Sequence, residues 1–244
     1  MERLRREANS KSRETRCAKI DADVEERNSE LLQRWLTQSI IISSFISVEL
    51  STYRVGTIPT AYYIPNWITD EDEHALLGVV SRCPTDKWVQ LKTRRLQNHG
   101  GIVRASMVSE HLPPWLQVVC SRLVDNGLFP AEFPPNHVLI NEYLPGQGIM
   151  AHKDGPLYLN WAVILSLGSG ADFEFLLHPG ADPEQTLYLE RRSVLIFSDE
   201  LYTNWLHRVT HSNPLSNNPS RCLNERWITI TTTQRLSTID CSQS

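Results

Sequence analysis

With 244 residues, 41% of them hydrophobic and 21% charged, the chain has ordinary globular composition and is long enough for one large domain with an appendage. Its formal net charge of −4 excludes a protein that coats nucleic acid by bulk electrostatics, so any such contact has to be local. The five cysteines, at 17, 83, 120, 222 and 241, form no CxxC pair and suggest neither a disulfide framework nor a structural zinc site. The longest apolar run, 40–48, is broken by Ser43, Ser44 and Ser47 and falls short of the roughly 20 residues that cross a bilayer. A soluble monomer of the cytoplasm or nucleus is expected, with no secretory signal and no membrane contact.

Residues 1–51 read as a polar extension. Seven Lys/Arg face three acids over 1–19, then five acids face one Arg over 20–30, so the two blocks largely cancel. The composition suits a mobile tail with a helix around 23–35; a nuclear address or nucleic-acid arm is the alternative. A single domain is expected over 52–238, followed by a tail, 239–244.

Aromatic and β-branched residues dominate 58–68, and Thr69 then offers an N-cap to a helix over 70–83 whose first turn is acidic. Pro113 and Pro114 start a second helix, and Asn126-Gly127 ends it. Between the helices, Lys87, Lys92, Arg94, Arg95 and Arg104 occur without a single acid, alongside Trp88, Gln97, Asn98, His99 and a Gly100-Gly101 turn. Cations beside an indole and amides suit a phosphate backbone and a base. A solvated hairpin accounts for the same charge.

From 137 onward short strands alternate with turn residues, over 137–143, 161–167, 171–177, 186–190, 193–197, 204–209 and 226–233. Helices that precede the strands rather than separating them argue against a parallel βαβ sheet and for a mainly β sandwich or barrel. The Ser/Asn/Pro-rich stretch 211–224 is a surface loop.

One motif in this region carries chemistry. His152 and Asp154, two residues apart on extended backbone, project from the same face. A His-x-Asp pair completed by a distant histidine forms the facial triad that leaves positions open on non-haem Fe(II). His207, in the apolar run 205–209, is the candidate third ligand and His211 the alternative; a lone histidine on such a strand is more often a hydrogen-bonded core residue. His137 and His178 sit at strand ends. Asn141 and Tyr143 share one strand face leading through Pro145-Gly146 and Gly148 into the motif, and those glycines would let backbone approach a ligand. On the last strand Arg226, Ile228, Ile230 and Thr232 share one face, while Trp227, Thr229, Thr231 and Thr233 share the other. A buried Arg226 needs an anion such as the distal carboxylate of a dicarboxylic cosubstrate; exposed, it would pair with Glu225 or nothing.

The order Asn-x-Tyr-x-Pro-Gly, His-x-Asp, distal His, then Arg on a Thr-rich final strand resembles the AlkB family of Fe(II)- and 2-oxoglutarate-dependent dioxygenases. The likeness runs through YYIPNWI, LQNHGG, LPPWLQ, NHVLINEYLPGQGIMAHKDGPLY and LERRSVLIF, from about residue 53 to 235. It implies a double-stranded β-helix, or jelly-roll, core with N-terminal flanking helices. His152, Asp154 and His207 would ligate iron, Arg226 would grip the far carboxylate of 2-oxoglutarate, and Asn141 and Tyr143 would help to seat it. The implied reaction consumes O2 and 2-oxoglutarate and demethylates a modified nucleic acid, or a protein, with release of formaldehyde. Residues 87–104 would be the lid over a flipped or single-stranded base, with Trp88, Lys92, Arg94, Arg95, Gln97 and Asn98 as contacts.

At one position the chain departs from the family. A second Arg is common six residues after the first, where this chain has Thr232, so a hydroxyl or water would replace a charged hydrogen bond at a cost on the order of 1.5–3 kcal/mol. Arg235 reaches the face of Arg226 only through a bulge. The alternative to an active demethylase is therefore a catalytically weak AlkB-like module that binds nucleic acid with an impaired cosubstrate site. A jelly-roll protein holding zinc or manganese is a third reading.

Overall fold

The computed structural model describes residues 48–101, 110–210 and 226–236. The expected N-terminal extension, Arg104, His211 with the loop 211–224, and the C-terminal tail lie outside the described residues.

Local signals place the two main helices. Thr69 accepts a hydrogen bond from the Asp72 N–H at 3.1 Å, and the Asp72 carboxylate accepts one from the Thr69 N–H at 3.2 Å. This reciprocal cap, worth about 1 kcal/mol, starts helix α1 (Asp70–Arg82). Helix α2 (Pro114–Asp125) has Pro at its first position and stops at Asn126 and Gly127, the latter with φ +73°. Both helices bury one stripe: Ala75, Leu76 and Val80 on α1, and Leu116, Val119, Cys120 and Leu123 on α2.

Among the described residues the strands form two antiparallel sheets. The larger contains β1 (Ala61–Ile64), β2 (Val89–Gln90), β3 (Arg95–His99), β4 (His137–Tyr143), β6 (Trp161–Gly168), β9 (Val194–Ser198) and β11 (Trp227–Thr233), in the order β1-β9-β6-β11-β4-β3-β2. The smaller contains β5 (Ile149–His152), β7 (Ala171–Leu176), β8 (Gln185–Leu189) and β10 (Leu206–Thr210), in the order β5-β10-β7-β8. The two sheets make the expected jelly roll, with the helices packed on the outer face of the larger one.

Register explains the layering. Ile64, Val194, Leu165, Ile230, Ile140 and Gln97 line up across six strands of the larger sheet. The apolar members of that row face α1 and α2 in one core. One residue along, the side chains point the other way, because strand side chains alternate. Ala162, Ile164, Leu195, Phe197 and Trp227 thus meet Phe173, Phe175, Leu189 and Val209 of the smaller sheet in a second core.

A short helix, α3 (Asp199–Thr203), fills the gap between the strands expected over 193–197 and 204–209, and β10 starts at Leu206 rather than 204. Ser198 at its N-cap position followed by two acids is the signal for it. Gly146 takes φ +81° with nothing within 4 Å of where a Cβ would lie. It serves the turn between β4 and β5.

Candidate functional site: a His-Asp-His cluster between the sheets

Two strand pairings build the cluster. His207 on β10 is in register with His152, the last residue of β5, and Asp154 follows just beyond the strand end. The Nε2 atoms of His152 and His207 lie 3.9 and 3.6 Å from Asp154 Oδ1. All three residues offer a ligand atom within 4.8 Å of one another. His207 is held flat on Phe173, with ring centroids 5.4 Å apart and planes at 12°, and against Phe197 at 5.1 Å. The Nδ1 of His152 lies 2.9 Å from the Met150 carbonyl, so a proton on Nδ1 leaves Nε2 a lone pair for a metal.

Electrostatics agree with a cation site. Burial pushes the Asp154 carboxyl up, but the imidazoles of His207, His152 and His137 outweigh it and hold the group below its usual range, as a carboxylate. Burial, then the neighbouring His207, lowers the pKa of His152 and keeps its ring neutral, as a ligand must be. Asp154 Oδ2 is buried with no hydrogen-bond partner among the described residues. A desolvated carboxylate oxygen beside two imidazoles fits a divalent ion, and the mixed N/O set suits iron.

The cluster opens into a small cavity of about 60 Å³ between the sheets. Its walls come from facing positions of the larger sheet: Asn141 is in register with Thr229, Leu139 with Thr231, and Tyr143 with Trp227. Ile164, Phe173 and Val209 add apolar surface. Asn141 Nδ2 donates to Thr229 Oγ1 at 3.5 Å, and Tyr143 stacks on Trp227 with centroids 5.1 Å apart. Burial pushes the Tyr143 phenol up to about 12, so it stays protonated. The indole N–H of Trp227 is buried without a partner among the described residues.

His152, Asp154, His207, Asn141 and Tyr143 thus come together as the sequence suggests, but Arg226 and Thr232 do not. Both lie on the reverse face of the larger sheet. Arg226 Nη1 donates to Glu142 Oε1 at 2.9 Å and Nη2 to Ser81 Oγ at 2.7 Å, while Thr232 Oγ1 donates to the Val163 carbonyl at 3.4 Å. The anion that Arg226 needs is Glu142, itself only 3% exposed. The lid residues divide in the same way. Arg95 also pairs with Glu142 and caps the Trp88 ring at 4.2 Å, so both are structural. Gln97 is buried with its side-chain carbonyl 3.0 Å from His99 Nε2, whereas Asn98 is exposed and lies 3.0 Å from His137 Nε2. Arg94 lines the cavity, its Nε donating to Asn141 Oδ1 at 2.9 Å, and Lys92 is exposed on the hairpin turn. Trp227, Thr229 and Thr231 are cavity residues that the alternation grouped correctly but left without a role. His178 is exposed, with Nδ1 3.4 Å from the Pro179 carbonyl.

His137 stays out of the cluster. It is 4% exposed, with Nδ1 3.3 Å from Thr233 Oγ1, and its ring lies 5.0 Å from that of Tyr158. Burial, then the Arg235 and His99 charges, lowers its pKa from 6.5 to about 4. Unfolded, it takes a proton near pH 6.5; folded, it resists one until about pH 4. Its contribution is therefore intact above pH 6.5 and is lost as pH falls toward 4, by about 3 kcal/mol at the acid end. His137→Asn is expected to flatten the fall in stability between pH 7 and 5, read from urea midpoints. An equal fall in both proteins would remove His137 as its source.

Comparison with known proteins places this geometry. Residues 72–236 match the 2OG-Fe(II) oxygenase superfamily. The chain is 39% identical over 175 residues to "Probable RNA/DNA demethylase ALKBH6" of Danio rerio, covering 66% of the chain and 74% of that protein. It is 36% identical over 102 residues to mouse "tRNA (carboxymethyluridine(34)-5-O)-methyltransferase ALKBH8", which is 41% of the chain and 15% of that protein. The fold matches the solved structure of OsALKBH1 with a TM-score of 0.56, at 16% identity, over 74% of this chain and all of that one. A 2OG-Fe(II) oxygenase from Burkholderia pseudomallei matches with a TM-score of 0.52, at 17% identity, over 72% of this chain and 85% of that one. The chain therefore belongs to the 2OG-Fe(II) oxygenase superfamily, among its AlkB-type members, and is an oxidoreductase that uses Fe(II), 2-oxoglutarate and O2.

Proposed function

We propose that the chain oxidatively demethylates a modified nucleic acid in the cytoplasm or nucleus, from a catalytic domain spanning residues 52–238. The observation that carries the substrate class is the hairpin β2–β3 beside the cavity: its turn sends Arg94 inward and leaves Lys92 exposed, and Lys87, just before β2, is exposed as well, with no acid between the two lysines. Exposed cations at the edge of a metal cavity suit a phosphate backbone whose base enters the cavity. The relative named as an RNA/DNA demethylase supports the same class.

His152, Asp154 and His207 would hold the iron, which would supply a two-electron oxidation: with O2 and 2-oxoglutarate converted to CO2 and succinate, an N-methyl group would become N-hydroxymethyl. The rest falls to the chain's own groups. Phe173 and Phe197 fix the His207 ring, and the Met150 carbonyl fixes that of His152. Ile164, Phe173 and Val209 line the cavity with apolar surface and limit water around the reacting carbon. Tyr143 presents a protonated phenol, and Asn141 spans Arg94 and Thr229. The hydroxymethyl product loses formaldehyde and leaves the demethylated base.

The test supplies Fe(II) protein with 2-oxoglutarate and short single-stranded RNA or DNA carrying N-methylated bases. Formaldehyde and succinate are expected in equal amounts for at least one oligonucleotide. Succinate release that no methylated oligonucleotide stimulates, and that methylated peptides do, would move the substrate class to protein.

A further inference from the structure

The cavity face of β11 carries Trp227, Thr229 and Thr231 and no cation. Arg226 is committed to Glu142 and Ser81 on the reverse face. Arg235 lies beyond the strand end, in a bridge with Tyr158, and does not line the cavity. Among the described residues Arg94 is the one cation in the cavity wall. Its Nε is spent on Asn141, while neither Nη has a partner among the described residues.

We propose that Arg94, from the turn of the β2–β3 hairpin, holds the far carboxylate of 2-oxoglutarate in place of an arginine on the last strand. The proposal rests on the oxygenase assignment and goes beyond it. A guanidinium with Nε tied to an amide keeps its two Nη groups free for a carboxylate, and the planar fork fits that partner. Asn141, bonded to both Arg94 and Thr229, lines with them the cavity that holds the metal cluster. The buried indole N–H of Trp227 offers a further unpaired donor in the same wall.

The consequence is coupling. The element that would hold the cosubstrate also carries Lys92, so binding of 2-oxoglutarate fixes the hairpin turn that meets the substrate. By linkage, substrate on the hairpin then tightens 2-oxoglutarate to the same degree.

The test measures binding to the Mn(II)-loaded, full-length protein by calorimetry, for 2-oxoglutarate and for 2-oxobutanoate, which lacks the far carboxylate. Wild type is expected to prefer 2-oxoglutarate, and Arg94→Gln to lose about 10- to 100-fold of that affinity while binding 2-oxobutanoate as before. Arg94→Lys should recover part of the loss, and Arg226→Gln should leave the preference intact. Mn(II) affinity, unchanged in all variants, verifies that the cluster is folded. If Arg94→Gln keeps the full preference, or Arg226→Gln abolishes it, the proposal is overturned. A wild-type protein that holds Mn(II) but binds neither keto acid overturns the cosubstrate assignment itself, and Arg94's role with it.

Discussion

Asp154→Asn is expected to abolish Fe(II)-dependent succinate release, by more than about 100-fold, while leaving the metal-free protein within about 1 kcal/mol of wild type. The two halves of that expectation have one cause. Asp154 supplies the only carboxylate of the cluster, and even residues that merely support a ligand cost 10- to 100-fold when lost. Yet Oδ2 is buried with no hydrogen-bond partner among the described residues, and asparagine keeps the side chain's shape and an oxygen toward His207, so the metal-free fold loses little. Denaturation with and without Mn(II) separates the two. Wild type should gain about 2.7 kcal/mol at a Mn(II) concentration 100 times the dissociation constant, and the variant almost nothing. Equal stabilisation of both proteins would show that Asp154 is not a ligand.

Glu73→Ala is expected to be the most damaging single change to the fold itself, at about 3–5 kcal/mol. Glu73 is fully buried on α1. One carboxylate oxygen accepts the Gly168 N–H at 2.8 Å, and the other accepts from Arg191, whose guanidinium also reaches Asp70 at 2.9 Å. Gly168 ends β6 at φ +80°, where a Cβ would lie 2.6 Å from the Arg226 carbonyl, so this turn has little room to relax. Truncation leaves a buried N–H unpaired and a gap between helix and sheet. A urea midpoint that moves by less than the equivalent of 1 kcal/mol would show that the apolar stripe of α1 alone holds the helix in place.

The sequence-level reading succeeded where information is local. Thr69, Pro113-Pro114 and Asn126-Gly127 mark helix ends through bonds made within four residues, and both main helices fall where those signals put them. His152 and Asp154 are neighbours in sequence, and His207 stands out as a polar residue in an apolar strand. Arg226 was different. Alternation sorted the last strand into two faces but could not say which one meets the cavity, because Ile228 and Ile230 on one side and Trp227 on the other are all apolar. What decides is Glu142, 84 residues earlier, whose buried carboxylate claims Arg226 for the reverse face. The same partner claims Arg95 and leaves Arg94, one residue away, to the opposite side. Tertiary pairing at that range leaves no mark on a period-two pattern.

Glu142 has a consequence for motion. It joins Arg95 at the start of β3 to Arg226 beside β11, and Arg226 in turn reaches Ser81 on α1. The hairpin is thus bolted to the barrel at Arg95, the first residue after its turn, while the turn itself, 91–94, is tied down by its own bonds and by the link from Arg94 to Asn141. A flap built this way can bend at the tip without prying open the sheet beneath it, so bulky cargo could come and go while the metal ligands hold their places.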